Sequence, residues 1–179
     1  VKYSIGTDTM GSVRIPSSYC GITGFKPSSI LNTNTELFRL SHTYDTIGFM
    51  GNKVNKIKHL FDICNKNNNL LPTKDNNPII KLKCVIPLQI LREEINHDVL
   101  NNFKFVISKL IKSNISIEYK ELKYWKPNDH RKALLKIVES EGSMNLKELL
   151  DTNKSQITNN LRKNLFFGKN LNEDAITDI

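Results

Sequence analysis

The sequence predicts an α/β fold, and three observations carry that prediction. Ile79 to Ile86 is rich in Ile, Leu and Val and fenced by Pro78 and Pro87, which reads as a strand. Asp98 to Lys112 sets Val99, Leu100, Phe103, Val106, Ile107, Leu110 and Ile111 along one helical face. Ile115 to Tyr119 alternates Ile, Ser, Ile, Glu, Tyr as a second strand. Strand, helix, strand in this order is a βαβ unit, so the two strands should run parallel.

The remaining elements follow in chain order. Residues 1–5 alternate and lead into Gly6, reading as the end of a strand that delivers a turn. After Ser12, the punctuation of Pro16, Gly21, Gly24 and Pro27 predicts loop, with a short strand near Tyr19 to Thr23. Residues 28–46 are polar and read as connection. Lys53 to Cys64 is an amphipathic helix through Val54, Ile57, Leu60, Phe61 and Cys64, with Asn52 as its N-cap. Residues 65–77 form an asparagine-rich loop. His130 to Leu150 is a helix that Gly142 can kink. Gln156 to Phe167 is a helix ended by Gly168, and Asn172 caps a last one. Glu139 and Glu141 stand two apart and so point in different directions on a helix. They are surface or loop-packing charges and not a catalytic carboxylate pair.

Composition narrows the function classes. The 179 residues suffice for one domain with a core. Hydrophobic content of 39% and charged content of 25% suit a soluble globular protein, and no run approaches the roughly 18 apolar residues of a membrane span. The net charge of +8 raises a nucleic-acid partner. The lysines, however, are dispersed among asparagines, with no run of five or six basic residues, so a solvated surface without specific nucleic-acid binding is expected. Cys20, Cys64 and Cys84 have no metal-type spacing and read as reduced, mostly buried thiols of a cytoplasmic protein. His42, His59, His97 and His130 form no ligand cluster, so no metal or other cofactor is implied.

The chemistry concentrates in Gly6-Thr7-Asp8-Thr9-Met10-Gly11-Ser12-Val13-Arg14-Ile15-Pro16. Small and polar residues crowd where a buried element would be apolar. Gly6 and Gly11 permit backbone geometry or close approach that a side chain would block. Ser12 in this setting can be a nucleophile, with backbone N–H groups nearby for the oxyanion that forms on attack.

The stretch resembles the signature of the amidase signature family, a Gly-x-Asp-x-Gly-Gly-Ser-[Ile/Val]-Arg-x-Pro core followed by Cys-Gly and Gly-[Leu/Phe]-Lys-Pro. The matching residues are Gly6, Asp8, Gly11-Ser12-Val13-Arg14, Pro16, Cys20-Gly21 and Gly24-Phe25-Lys26-Pro27. Ser41-His42-Thr43-Tyr44-Asp45-Thr46-Ile47-Gly48 resembles the family's Ser-x-Ser-[Leu/Phe]-Asp-x-x-Gly segment. The match is dense over residues 1–64 and faint beyond.

The resemblance implies a mixed sheet flanked by helices. It divides the chain into a nucleophile-motif half, residues 1–64, and a βαβ and helical continuation, residues 79–179. It implies Ser12 as the acyl-forming nucleophile, the N–H groups of Thr9, Met10, Gly11 and Ser12 as the oxyanion hole, and Asp8 and Arg14 as supporting residues. Cys20 falls in the wall behind the nucleophile. The family's activating serine, in a cis peptide, and its lysine lie upstream of the nucleophile, so the chain is expected to be an incomplete domain, inactive by itself. Met10 departs from the pattern by replacing the first glycine of Gly-Gly. It still supplies an N–H, but would be strained at positive φ. The implied activity is hydrolysis of an amide carbon–nitrogen bond in a small amide substrate, and an oligomer is compatible with it. Two alternatives stand beside it: the A subunit of an aminoacyl-tRNA amidotransferase, and a non-catalytic amidase-like fragment or scaffold. The Tyr-Asp-Gly-x-Arg-Tyr-Gly segment of such A subunits has no counterpart after Glu139 to Leu150, which favours a free-standing amidase.

Overall fold

In the computed structural model, which describes residues 2–29, 37–65, 82–152 and 157–171, Tyr3–Asp8 forms β1. The alternation that leads into Gly6 continues through it and ends on Asp8. Thr23–Phe25 is β2 and Thr46–Gly51 is β3. The three make one antiparallel sheet in the order β1-β3-β2. β3 is its middle strand, and sequence reasoning assigned it no strand at all. Its two glycines look like turn residues. Here they serve close approach: a Cβ on Gly48 would lie 2.9 Å from Val13 Cγ2 and 3.1 Å from the Phe25 carbonyl oxygen. Gly6 pairs with Gly48 across the sheet, so the strands present a bare floor beneath Val13.

On that floor lies α1, Arg14–Tyr19, where loop was expected. Pro16 is compatible with it because a first-turn residue needs no intrahelical N–H acceptor. Ser17 is buried and donates its hydroxyl to the Val13 carbonyl at 2.7 Å. The expected strand falls later, at β2. Cys20 caps the end of α1 and is exposed, as is Cys64, while Cys84 is half-buried. The expectation of mostly buried thiols, and of Cys20 as a packed wall, is therefore corrected.

Val54–Cys64 forms α2. Its N-cap is Lys53, in extended conformation and without a side-chain hydrogen bond, rather than Asn52. Packing decides the start: Ile57 is buried close to Gly51 of β3. Phe61 meets Phe25 and Phe49 edge-on, with ring centroids 5.4 and 5.7 Å apart, locking helix to sheet.

The chain divides into two compact units, Val1–Thr73 with Lys132–Ile179, and Lys74–Arg131. In the second, β4 (Lys83–Pro87) and β5 (Ser116–Lys120) pair in parallel, as the βαβ reading requires. Between them runs α3, His97–Lys112, capped by the Asn96 side chain, which accepts from the Asp98 N–H at 2.9 Å. Asn114 ends it at φ 59°, with the Ile115 N–H donating to the Leu110 carbonyl and the Asn114 N–H to that of Ile111. This is a Schellman closure with asparagine in glycine's usual place. After β4, a 3₁₀ turn over Leu88–Arg92 carries Gln89, whose amide donates to the Leu122 and Trp125 carbonyls at 2.6 and 3.2 Å.

The helix expected over 130–150 is two helices, α4 (Pro127–Asn145) and α5 (Lys147–Thr152). The break comes at Leu146. Gly142 does not interrupt α4; it is buried, and a Cβ there would stand 2.6 Å from Leu40 Cδ1. α6, Asn159–Lys169, is capped by the Thr158 hydroxyl and continues through Gly168. That glycine is needed for a helix crossing, not a helix end: a Cβ on it would lie 2.0 Å from the Glu139 carbonyl oxygen. Gly168→Ala should therefore destabilise the protein by about 2–3 kcal/mol, because backbone cannot yield as a side chain can. Urea denaturation of the variant checks this. The asparagine-rich loop beyond residue 65, residues 79–81 of the expected strand and Asn172 lie outside the described residues. No described helix is long and apolar enough to cross a membrane.

Candidate active site

β1 delivers the chain to Asp8, whose side chain is fully buried. A buried carboxylate is stable only when its oxygens are occupied. Here Asp8 Oδ1 accepts from the Gly11 N–H at 2.7 Å and from Arg14 Nη2 at 2.9 Å. Oδ2 accepts from the N–H groups of Val13 and Arg14, both at 3.2 Å, and from Arg14 Nε at 3.0 Å. Burial pushes the Asp8 carboxyl up, but the Arg14 guanidinium and the two backbone donors outweigh it and hold the pKa down at about 2. The same contact raises the Arg14 pKa. Asp8 is thus ionised at neutral pH and shapes residues 9–14 into a closed turn around itself.

Gly11 makes that turn possible. Its φ is 130°, and a Cβ there would stand 2.6 Å from Ile15 Cδ1. Met10 has no positive φ, so the substitution of the family's first glycine is free of the anticipated strain. Ser12 follows at the crest, exposed, immediately before the Val13 N-cap of α1. Among the described residues its hydroxyl makes no hydrogen bond. The N–H groups expected to form the oxyanion hole are not equivalent. That of Gly11 already donates to Asp8, which leaves Thr9, Met10 and Ser12 without an acceptor among the described residues. Asp8, Thr9, Met10, Gly11, Ser12 and Arg14 are therefore brought together, with Asp8 and Arg14 bonded to each other and Asp8 to the turn's backbone.

Asp45 enters the sequence reading only as one position of a motif, yet it completes the site. Its Oδ1 accepts from the Thr9 hydroxyl at 2.5 Å, and its Oδ2 from the N–H groups of Leu40 and Ser41 at 2.6 and 3.1 Å. It is buried at the start of β3, whose Thr46 pairs with Asp8. A sequence signal existed: an acidic residue entering an apolar strand needs donors, and nothing local could name Thr9.

A family model for amidases matches residues 1–173. The A subunit of the mitochondrial glutamyl-tRNA(Gln) amidotransferase of Candida albicans (strain WO-1) is 34% identical over 120 residues, covering 62% of this chain and 27% of its own length. Amidase 1 of Arabidopsis thaliana is 37% identical over 84 residues, covering 47% of this chain and 20% of its own length. The chain thus spans under a third of these curated relatives. A solved crystal structure of an amidase shares the fold, with a TM-score of 0.82 at 22% identity over 98% of this chain and 39% of its own. With the family model matched over residues 1–173 of the chain, the chain belongs to the amidase signature family.

Proposed function

We propose that the protein cleaves an amide carbon–nitrogen bond of a small amide substrate through an acyl-enzyme, with Ser12 as nucleophile. The observation that carries this is the exposed Ser12 at the crest of a turn whose backbone a buried Asp8 holds in shape. Ser12 Oγ would add to the carbonyl carbon and lose its proton to a base. Backbone N–H groups of Thr9, Met10 and Ser12 would receive the oxyanion. Collapse would expel ammonia or an amine, which takes up that proton, and water would then release the acid and restore Ser12. The base fits the family's lysine acting through a second serine, upstream of the nucleophile in family members. The scheme asks for no cofactor. The free thiols of the described residues suit a reducing compartment, and we propose the cytoplasm.

A second reading is supported by the 34% identity to the A subunit of an amidotransferase. It keeps the acyl chemistry but passes the ammonia to a tRNA-linked acceptor within a complex. The test is to treat the full-length gene product with a fluorophosphonate and map the adduct by mass spectrometry. The expected result is one phosphonyl group on the Ser12 peptide. Ammonia release from simple amides by the isolated protein supports the free-standing amidase. Release only with glutamine and partner proteins supports the second reading. No adduct on Ser12 in a folded full-length protein would leave the non-catalytic scaffold.

A further inference from the structure

We propose that Glu141, on α4, is a positioning residue for the oxyanion turn, acting through the loop Leu40–Asp45. The inference rests on the reading of Ser12 as nucleophile and extends it to Glu141, whose hydrogen-bond partner Ser41 lies a hundred positions away in the chain.

Glu141 is half-buried and spends both carboxylate oxygens on one loop. Oε2 accepts from the Ser41 hydroxyl and from the Thr43 N–H, the latter at 3.2 Å. Oε1 accepts from the Thr43 hydroxyl at 2.5 Å. Asn145, one helical turn on, donates its amide to the Leu40 carbonyl at 3.1 Å. Leu40 itself fits against Gly142. Leu40, Ser41 and Thr43 are therefore gripped or covered by one face of α4. That face cannot retreat, because Gly168 of α6 stands against the Glu139 carbonyl and Leu165 against Gly142.

The grip passes to the turn through hydrogen bonds. Ser41 Oγ, donating to Glu141, also accepts from the Tyr44 N–H at 3.1 Å, and the Ser41 carbonyl accepts from the Asp45 N–H at 3.2 Å. Ser41 and Asp45 are both buried. Asp45 in turn holds the Thr9 hydroxyl, and Thr9 is the first of the residues assigned to the oxyanion hole. The direction of its N–H follows the torsions of residues 8 and 9, which Asp8 constrains from one side and Asp45 from the other. A purely structural glutamate could be replaced at a cost in stability alone. A positioning one changes the rate in the folded enzyme, since misplacing a donor by about 1 Å can cost on the order of 10²-fold.

The test uses Glu141→Gln in the full-length gene product. The amide keeps the shape but removes the charge and offers one acceptor oxygen, so the charge-assisted bonds to the loop become weaker neutral ones. Thr43→Val, at an exposed position, is the milder companion should Glu141→Gln fail to fold. Two quantities are read: hydrogen exchange of peptides covering residues 9–12 and 40–45, and the rate and affinity of fluorophosphonate labelling at Ser12. The expected result is faster exchange in both segments and a labelling rate constant lower by about tenfold at unchanged probe affinity. Thr9→Val should show a similar fall, and adding Glu141→Gln to it should bring no further one, because both act through one chain of bonds. Faster exchange confined to residues 40–45, or rate losses that multiply in the double variant, would overturn the proposal. Faster exchange in both segments of a protein that does not label at all would support the coupling and count against Ser12 as nucleophile.

Discussion

Ser12→Ala in the full-length gene product is expected to lose amide turnover by on the order of 10⁶-fold in kcat, the scale seen when a serine hydrolase loses its nucleophile. The fold should be indifferent. Ser12 is exposed and its hydroxyl holds nothing among the described residues, so the unfolding free energy should stay within about 0.5 kcal/mol of the wild type. Any residual rate would come from the backbone donors of the turn, on the order of 10³-fold over water. Steady-state ammonia release and a thermal melt on the same preparation separate the two effects. Undiminished turnover in the variant would remove Ser12 from the mechanism.

Asp8→Ala should do the opposite, damaging the fold first and activity as a consequence. The substitution leaves the N–H groups of Gly11, Val13 and Arg14 without their acceptor and strands a guanidinium. Removing one partner from a buried ionic contact costs about 3–5 kcal/mol. Because the Arg14 side chain is half exposed and can rehydrate, the lower end is expected. The same carboxylate sets an acid limit. Its pKa is depressed from 3.8 in the unfolded chain to about 2 when folded. Its contribution is therefore fully present above about pH 4 and is lost as pH falls through about 2. The shift corresponds to about 2 kcal/mol. Urea titrations at several pH values should show wild type and Asp8→Ala converging over that window, and a constant gap down to about pH 2 would rule out the ionised Asp8 as the turn's anchor.

How much of the site was legible depends on how local its causes are. Ser12, Gly11 and Asp8 were readable as parts of one tight polar turn because such a turn needs those residue types within a few positions. The N–H groups around them were readable as a set, but not their division of labour. Only the folded turn shows Gly11 donating inward to Asp8. Met10 looked like a hazard because φ was unknown; the backbone places the positive φ one residue later. Glu141 was read as a surface or loop-packing charge, and it does pack a loop, but its partners Ser41 and Thr43 lie across the fold. A hint was present in its neighbours, since Ser140, Gly142 and Ser143 are small enough to bring a helix face against another segment.

By itself the sequence determined the family, the α/β class, the helices α2 and α3, and the parallel pairing of β4 with β5. All of these follow from short-range spacing: fixed motif positions, helical periodicity, and the rule that a helix between two strands returns them in parallel. Tertiary structure alone decided the rest. It made Thr46–Gly51 a middle strand despite its glycines, because Gly48 lies under Val13. It kept α6 helical through Gly168, because the Glu139 backbone passes where a side chain would stand. It grouped the helices after Lys132 with the first 73 residues, and it joined Asp45 to Thr9. Each of these rests on a contact between atoms distant in sequence, and close approach at a glycine or a hydrogen bond to a carboxylate leaves no periodic trace in the chain.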